Sequence, residues 1–140
     1  MHRLPDWETR LAAFLEPLRL RAFAWGKHDC CIFAAGAVEA MTGEDPMPEF
    51  RGRYATQLGA KRALRRLGAG TLSATLDTKF DQVPPNLAQR GDIVMTEGVL
   101  GICLGAFLVA VGSEGEREGL VKVDRAIWQD ARAWRVPFGG

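Results

Sequence analysis

The sequence predicts an α+β fold in one domain, with helices first and sheet afterwards. A length of 140 residues suits a single core. The first part of the chain carries apolar side chains at helical spacing, and everything after Pro84-Pro85 breaks into short apolar runs separated by turn signals. Helices that precede strands instead of alternating with them favour an antiparallel sheet packed on the helical layer.

The first helix is expected over Asp6 to about Leu20, where Trp7, Leu11, Phe14, Leu15 and Leu18 recur near the 3.6-residue period; Pro17 kinks or ends it. An aromatic, glycine-bearing connection, Phe23 to Asp29, leads into the central helix, Cys30 to Met41. Its apolar positions Cys30, Ala34, Ala37, Val38 and Met41 share a face, Asp29 is the N-cap and Gly43 the C′ residue. The alanines and Gly36 along it leave room for a sheet to approach closely. A proline-bearing loop, Glu44 to Phe50, precedes two more helices, Ala55 to Leu67 and Leu72 to about Phe80, separated by Gly68-Ala69-Gly70. Strands follow at Ile93 to Met95, Val99 to Leu104, Ala106 to Val111 and Leu120 to Val123.

Composition narrows the class. With 47% hydrophobic and 25% charged residues the chain is neither disordered nor fibrous. Its 18 Lys and Arg against 17 Asp and Glu give a net charge of +1, which lacks the overall positive field of nucleic-acid or acidic-membrane binders. The residues Met1 to Arg10 have no secretory pattern, so synthesis in a cytosol is expected. The uncharged run Gly98 to Ser113 is 16 residues long and glycine-interrupted, which reads as buried sheet and not as a membrane span of roughly 18 apolar residues.

Three cysteines, Cys30, Cys31 and Cys103, have no disulfide-framework spacing and are expected as thiols. His28 and these cysteines lack Cys-x-x-Cys or His-x3-His spacing, so no metal is expected, and no cofactor. Arg51, Arg53, Lys61, Arg62, Arg65 and Arg66 make the middle of the chain basic. That segment reads either as a solvated face, partly neutralised by Glu44, Asp45 and Glu49, or as a docking surface for an acidic protein partner. Trp25 is expected to pack beside the cysteine helix; Trp128 and Trp134 have no assigned role.

The residues that carry chemistry are Asp29-Cys30-Cys31 at a helix start. Partial positive charge at a helix N-terminus favours a thiolate, which makes Cys30 a candidate nucleophile, the alternative being two small apolar residues packed under the sheet. About sixty residues later come Gly91-Asp92-Ile93-Val94 and Leu100-Gly101-Ile102-Cys103-Leu104-Gly105. An Asp-Cys pair opening a helix, then a Gly-Asp-hydrophobic strand, then a Val-Gly-Ile-Tyr-Leu-Gly-like strand resembles the NlpC-type branch of the papain-like cysteine peptidases. The resemblance implies a papain-like fold and places Cys30 at the position of the cysteine that attacks a peptidoglycan peptide bond.

The same resemblance puts Val99 where that family carries its base histidine, and Val109, Ala110 or Val111 where it carries the polar residue that orients the base. Valine accepts no proton, and a cysteine hydrolase without a base loses both thiol activation and leaving-group protonation. His28, two residues before Cys30, is the remaining candidate base, although it is expected to face solvent or bond the cap. His2 lies in a terminal segment expected to be mobile.

A longer stretch, from Phe23-Ala24-Trp25-Gly26 and Asp29-Cys30-Cys31 through Phe50-Arg51-Gly52-Arg53-Tyr54 and Ala63-Leu64-Arg65-Arg66-Leu67 to Ala133-Trp134-Arg135-Val136, is similar to a family of small phage and prophage proteins encoded among tail-assembly genes. That resemblance implies a structural component of a siphophage-like tail tip or baseplate, with a degenerate peptidase site and located in the virion tail after assembly in the host cytoplasm. Its partners would be hub or distal tail proteins, with bacterial peptidoglycan a further candidate and neither nucleic acid nor a membrane-spanning segment expected. Two alternatives stand beside it: a cell-wall endopeptidase using Cys30 with His28 or a neighbouring subunit's base, and a non-cutting module that binds cell-wall peptides.

Overall fold

The computed structural model describes residues 1–139, and the fold is α+β. Helix α1 spans Trp7–Leu15 and continues as a 3-10 turn over Glu16–Leu18, so the helical periodicity persists past the residue where the α-helix stops. Pro17 sits at the start of that tighter turn, where its missing N–H costs nothing.

Helix α2, Cys30–Thr42, has the caps the sequence predicts. The Asp29 side chain accepts from the Ile32 N–H, and Gly43 closes the helix at φ 83°. The helix is apolar nearly all round and buried accordingly, with Ala37, Val38 and Met41 fully covered. Gly36 serves a helix neighbour instead of the expected sheet: a Cβ there would lie 2.8 Å from the Phe14 ring of α1.

Helix α3, Gln57–Leu67, begins two residues later than its apolar pattern suggests because Thr56 caps it, accepting from Gly59 N–H. The short helix α4, Leu72–Asp77, stops three residues before Phe80.

Six antiparallel strands form one sheet in the order β1-β6-β2-β3-β4-β5. They are β1 (Gln82–Val83), β2 (Ile93–Thr96), β3 (Val99–Cys103), β4 (Phe107–Glu114), β5 (Arg117–Asp124) and β6 (Arg132–Trp134). Sequence patterning places β2 to β5 but not β1 or β6, which are short and lie among charged residues. The β4–β5 hairpin also runs beyond its apolar stretch to the pair Glu114 and Arg117.

Period-2 alternation divides the sheet's side chains between two cores. Ile93, Leu100, Ile102, Val109, Val111 and Trp134 face α1 and α2 in the main core. Val94, Cys103, Leu108, Ala110 and Ala133 form a smaller cluster on the other face with Ala88 and Trp128. Arg125 stitches that second face shut by donating to the carbonyls of Gly105 and Ala88 and to the Cys103 sulfur.

The chain ends meet at Asp92, a fully buried carboxylate. It accepts from the Arg3 guanidinium at 2.8 Å, from Arg135 at 2.9 Å and from the backbone N–H groups of Gln89 and Val136. Arg3 also donates to the carbonyls of Val136 and Arg90 and lies between the rings of Trp7 and Phe138. The N-terminal segment is therefore pinned and not mobile as expected: Arg3 N–H bonds Pro137 O, and Leu4 N–H bonds Met41 O. No helix among the described residues is long and apolar enough to cross a membrane.

Candidate functional site

Cys30, the first residue of α2, lines an apolar cavity of about 240 Å³ between α2, α3 and the β2–β3 turn. Its walls include Trp25, Phe50, Leu64 and Leu72, with Tyr54, Lys61 and Gly98 at polar or turn positions. The floor is built by Asp29. One carboxylate oxygen caps α2 through Ile32 N–H at 2.9 Å, and the other accepts from Gly26 N–H at 2.8 Å and from the Tyr54 hydroxyl at 2.7 Å. The capping residue thus also fixes the Trp25-Gly26 turn and the loop ahead of α3.

Glycine at position 26 is required by that closeness. Its φ is +79°, and a Cβ would lie 2.0 Å from the Tyr54 carbonyl oxygen. Trp25 next to it stands edge-on to Phe23 and lines the same cavity as Cys30 and Cys31, beside the cysteine helix as expected, while 37% of it stays open to solvent.

The electrostatics of Cys30 run opposite to the helix-terminus expectation. Burial raises the pKa of its thiol, the Leu100 backbone N–H opposes this, and the charge of Asp29 raises it further. Burial, with Asp29 adding to it, outweighs the backbone N–H groups of Leu100, Cys31 and Cys30, which favour the thiolate. Cys31 is pushed further, to about 12, by burial and then by Asp29, and its Sγ lies 3.4 Å from the Met47 Sδ. Cys103 belongs to the opposite sheet face, fully buried beside Arg125. The three thiols are free, and among the described residues no three His, Cys, Asp or Glu side chains gather as metal ligands.

Val99 opens β3 and is 43% exposed. Its neighbours Gly98 and Leu100 approach Cys30, one across the cavity and one through its N–H, but Val99 does not line the cavity. The positions of the expected orienting residue, Val109, Ala110 and Val111, are buried core.

His28 neither faces solvent nor bonds the cap. It is 2% exposed, its backbone pairs with Ala24, and its ring stands edge-on to Phe33 at 6.3 Å with Nε2 unpartnered. Burial lowers its pKa, with nearby Arg21 acting in the same direction and Asp29 against it. The histidine lies outside the lining of the Cys30 cavity, and His2 is exposed at the terminus. The structure therefore brings Cys30, Asp29 and Tyr54 together around one cavity and leaves both histidines out of its lining.

A family model described as a domain of unknown function, DUF6950, matches residues 2–136. The chain belongs to the DUF6950 family. Within it the match runs from beside Arg3 to Val136, the two segments that Asp92 ties together, and so takes in both sheet faces and the cavity. No curated protein matches the chain.

Tyr54 is the site residue that sequence reasoning missed. Its only signal is that it follows Phe50-Arg51-Gly52-Arg53 in a loop, and nothing local says that this loop returns to Asp29, 25 positions earlier.

Proposed function

We propose that this DUF6950 chain is a structural component of a phage tail tip or baseplate, built on a papain-like scaffold of the NlpC type whose cysteine site does not cut. The tail assignment rests on the resemblance of the Phe23-to-Cys31 segment, of Phe50 to Tyr54, of Ala63 to Leu67 and of Ala133 to Val136 to tail-assembly proteins. The non-cutting assignment rests on one observation: among the described residues no imidazole lines the Cys30 cavity, and burial with the nearby Asp29 raises the pKa of its thiol. A nucleophile in that state has neither the charge to attack a peptide carbonyl nor a partner to protonate the leaving amine. Partners in this reading are hub or distal tail proteins, and the working location is the virion tail after assembly in the host cytoplasm.

The deciding experiment compares phage particles produced with the wild-type gene, with a deletion and with Cys30→Ser. Loss of intact tail tips in the deletion, recovery of the chain from purified virions, and normal infectivity of Cys30→Ser are expected. A Cys30→Ser phage that assembles but fails to infect, together with peptidoglycan cleavage by the purified wild-type chain, would overturn the structural reading in favour of the endopeptidase.

The open cavity supports a second reading, a non-cutting module for cell-wall peptides, because about 240 Å³ with Lys61 at its edge admits one apolar side chain and a neighbouring carboxylate. Saturable binding of soluble peptidoglycan fragments that is lost in Ala60→Trp would favour it.

A further inference from the structure

Apart from the Cys30 cavity, the described residues present a groove whose only charged lining residues are arginines. Arg53, from the loop ahead of α3, and Arg62 and Arg66, one turn apart on that helix, line a groove of about 240 Å³ with Gly59, Ala63 and Leu67. All three arginines are exposed, and none makes an ion pair or side-chain hydrogen bond among the described residues.

The carboxylates that sequence alone offers as neutralising partners are engaged elsewhere. Glu44 meets the N-terminal ammonium, Asp45 meets Arg51, and Glu49 meets Lys79 at 2.6 Å. Arg62 and Arg66, at i and i+4, therefore repel one another on the helix with no ion-pair partner among the described residues. Arg66 also lies in the last turn, where the helix dipole favours a cation, but Arg62 and Arg53 have no such local reason.

We infer that this groove docks an acidic segment of a protein partner, its carboxylates taken by Arg53, Arg62 and Arg66 and an apolar side chain seated on Ala63 and Leu67. Guanidinium forks match carboxylates in pairs, and arginine is enriched at protein interfaces. Leu67 at 43% exposure and Leu58 at 57% add apolar surface beside the charges. A nucleic acid is a poorer fit: the groove has no aromatic platform on which a base would stack, and the chain as a whole carries only +1. The inference concerns a surface separate from the Cys30 cavity and stands whether or not that site cuts.

The test uses the full chain and a short fluorescein-labelled peptide of glutamates interrupted by leucines, read by anisotropy at low salt. Saturable binding is expected, weakening as salt rises and falling about tenfold or more in the double variant Arg62→Glu, Arg66→Glu. Leu67→Ser should remove the advantage of the leucine-bearing peptide over an all-glutamate one. Since these residues are exposed, melting temperatures should stay near wild type, which separates lost docking from lost folding. Equal binding by the double variant, absence of saturation at low salt, or tighter binding of a single-stranded oligonucleotide that displaces the peptide would each overturn the inference.

Discussion

The Tyr54 hydroxyl donates to the Asp29 carboxylate at 2.7 Å, and through this contact the loop ahead of α3 is tied to the N-terminus of α2. Asp29 satisfies three donors at once, from Ile32, Gly26 and Tyr54, so a residue that sequence marks as a helix cap is also the post around which the cavity is assembled.

Tyr54→Phe removes one hydrogen bond to a charged acceptor and keeps the ring. It should lower unfolding free energy by about 1–2 kcal/mol. Asp29→Ala should cost more, about 2–4 kcal/mol, because it removes the cap and leaves the Gly26 N–H and the Tyr54 hydroxyl short of a partner. Urea denaturation of the two variants measures both, and equal losses would contradict the central position given to Asp29.

Arg3 and Asp92 form a nearly solvent-free pair, with side chains 1% and 0% exposed. Arg3→Met should destabilise the chain by about 3 kcal/mol, since it strands a buried carboxylate that Arg135 only partly compensates. Removing both charges, as Arg3→Met with Asp92→Leu, should recover part of the loss. Chemical denaturation of the three proteins forms a cycle in which a strictly additive result would deny the coupling.

His28 makes stability depend on pH. Its folded-state pKa lies below the unfolded value near 6.5, so the unfolded chain binds the proton more readily. Stability should therefore fall as pH drops below about 6.5 toward the folded-state pKa, and rise again on return to neutrality. His28→Leu removes the proton site and the unpartnered Nε2 together, and should flatten the profile below about pH 6.5 relative to wild type. Parallel profiles for the two proteins would rule out His28 as the source.

Thiol labelling reports directly on the cysteine site. Cys30 is partly buried with a raised pKa, and Cys31 and Cys103 are buried at 8% and 0% exposure. Iodoacetamide near neutral pH should modify all three at least about tenfold more slowly than free cysteine, with Cys30 the first to react as pH is raised. Rapid labelling of Cys30 at neutral pH, located by mass spectrometry, would show a thiolate and reopen hydrolysis.

Much of the fold is legible in the chain because its signals are local. The Asp29 cap, the Gly43 terminus and the apolar run of α2 all fall within one helix and need no distant partner, and β2 to β5 announce themselves as apolar runs between turns. Strand β6 escapes the same reading. It is three residues long, and its Trp134 is buried because β1 and β2 flank it and Asp77 receives its indole N–H, all of them separated widely in sequence.

The sequence by itself determined an α+β chain and a cysteine at the head of an apolar helix, since each depends on residue identity and short-range spacing. Only the tertiary structure decided that Cys30 lies in a largely apolar cavity, that His28 is buried outside that cavity, and that Glu44, Asp45 and Glu49 pair with groups other than the α3 arginines. The physical reason is that desolvation and charge pairing depend on which distant segments fold against a group. A helix terminus acts through a local dipole of fractional charge, whereas the burial of a thiol is set by the segments that close over it.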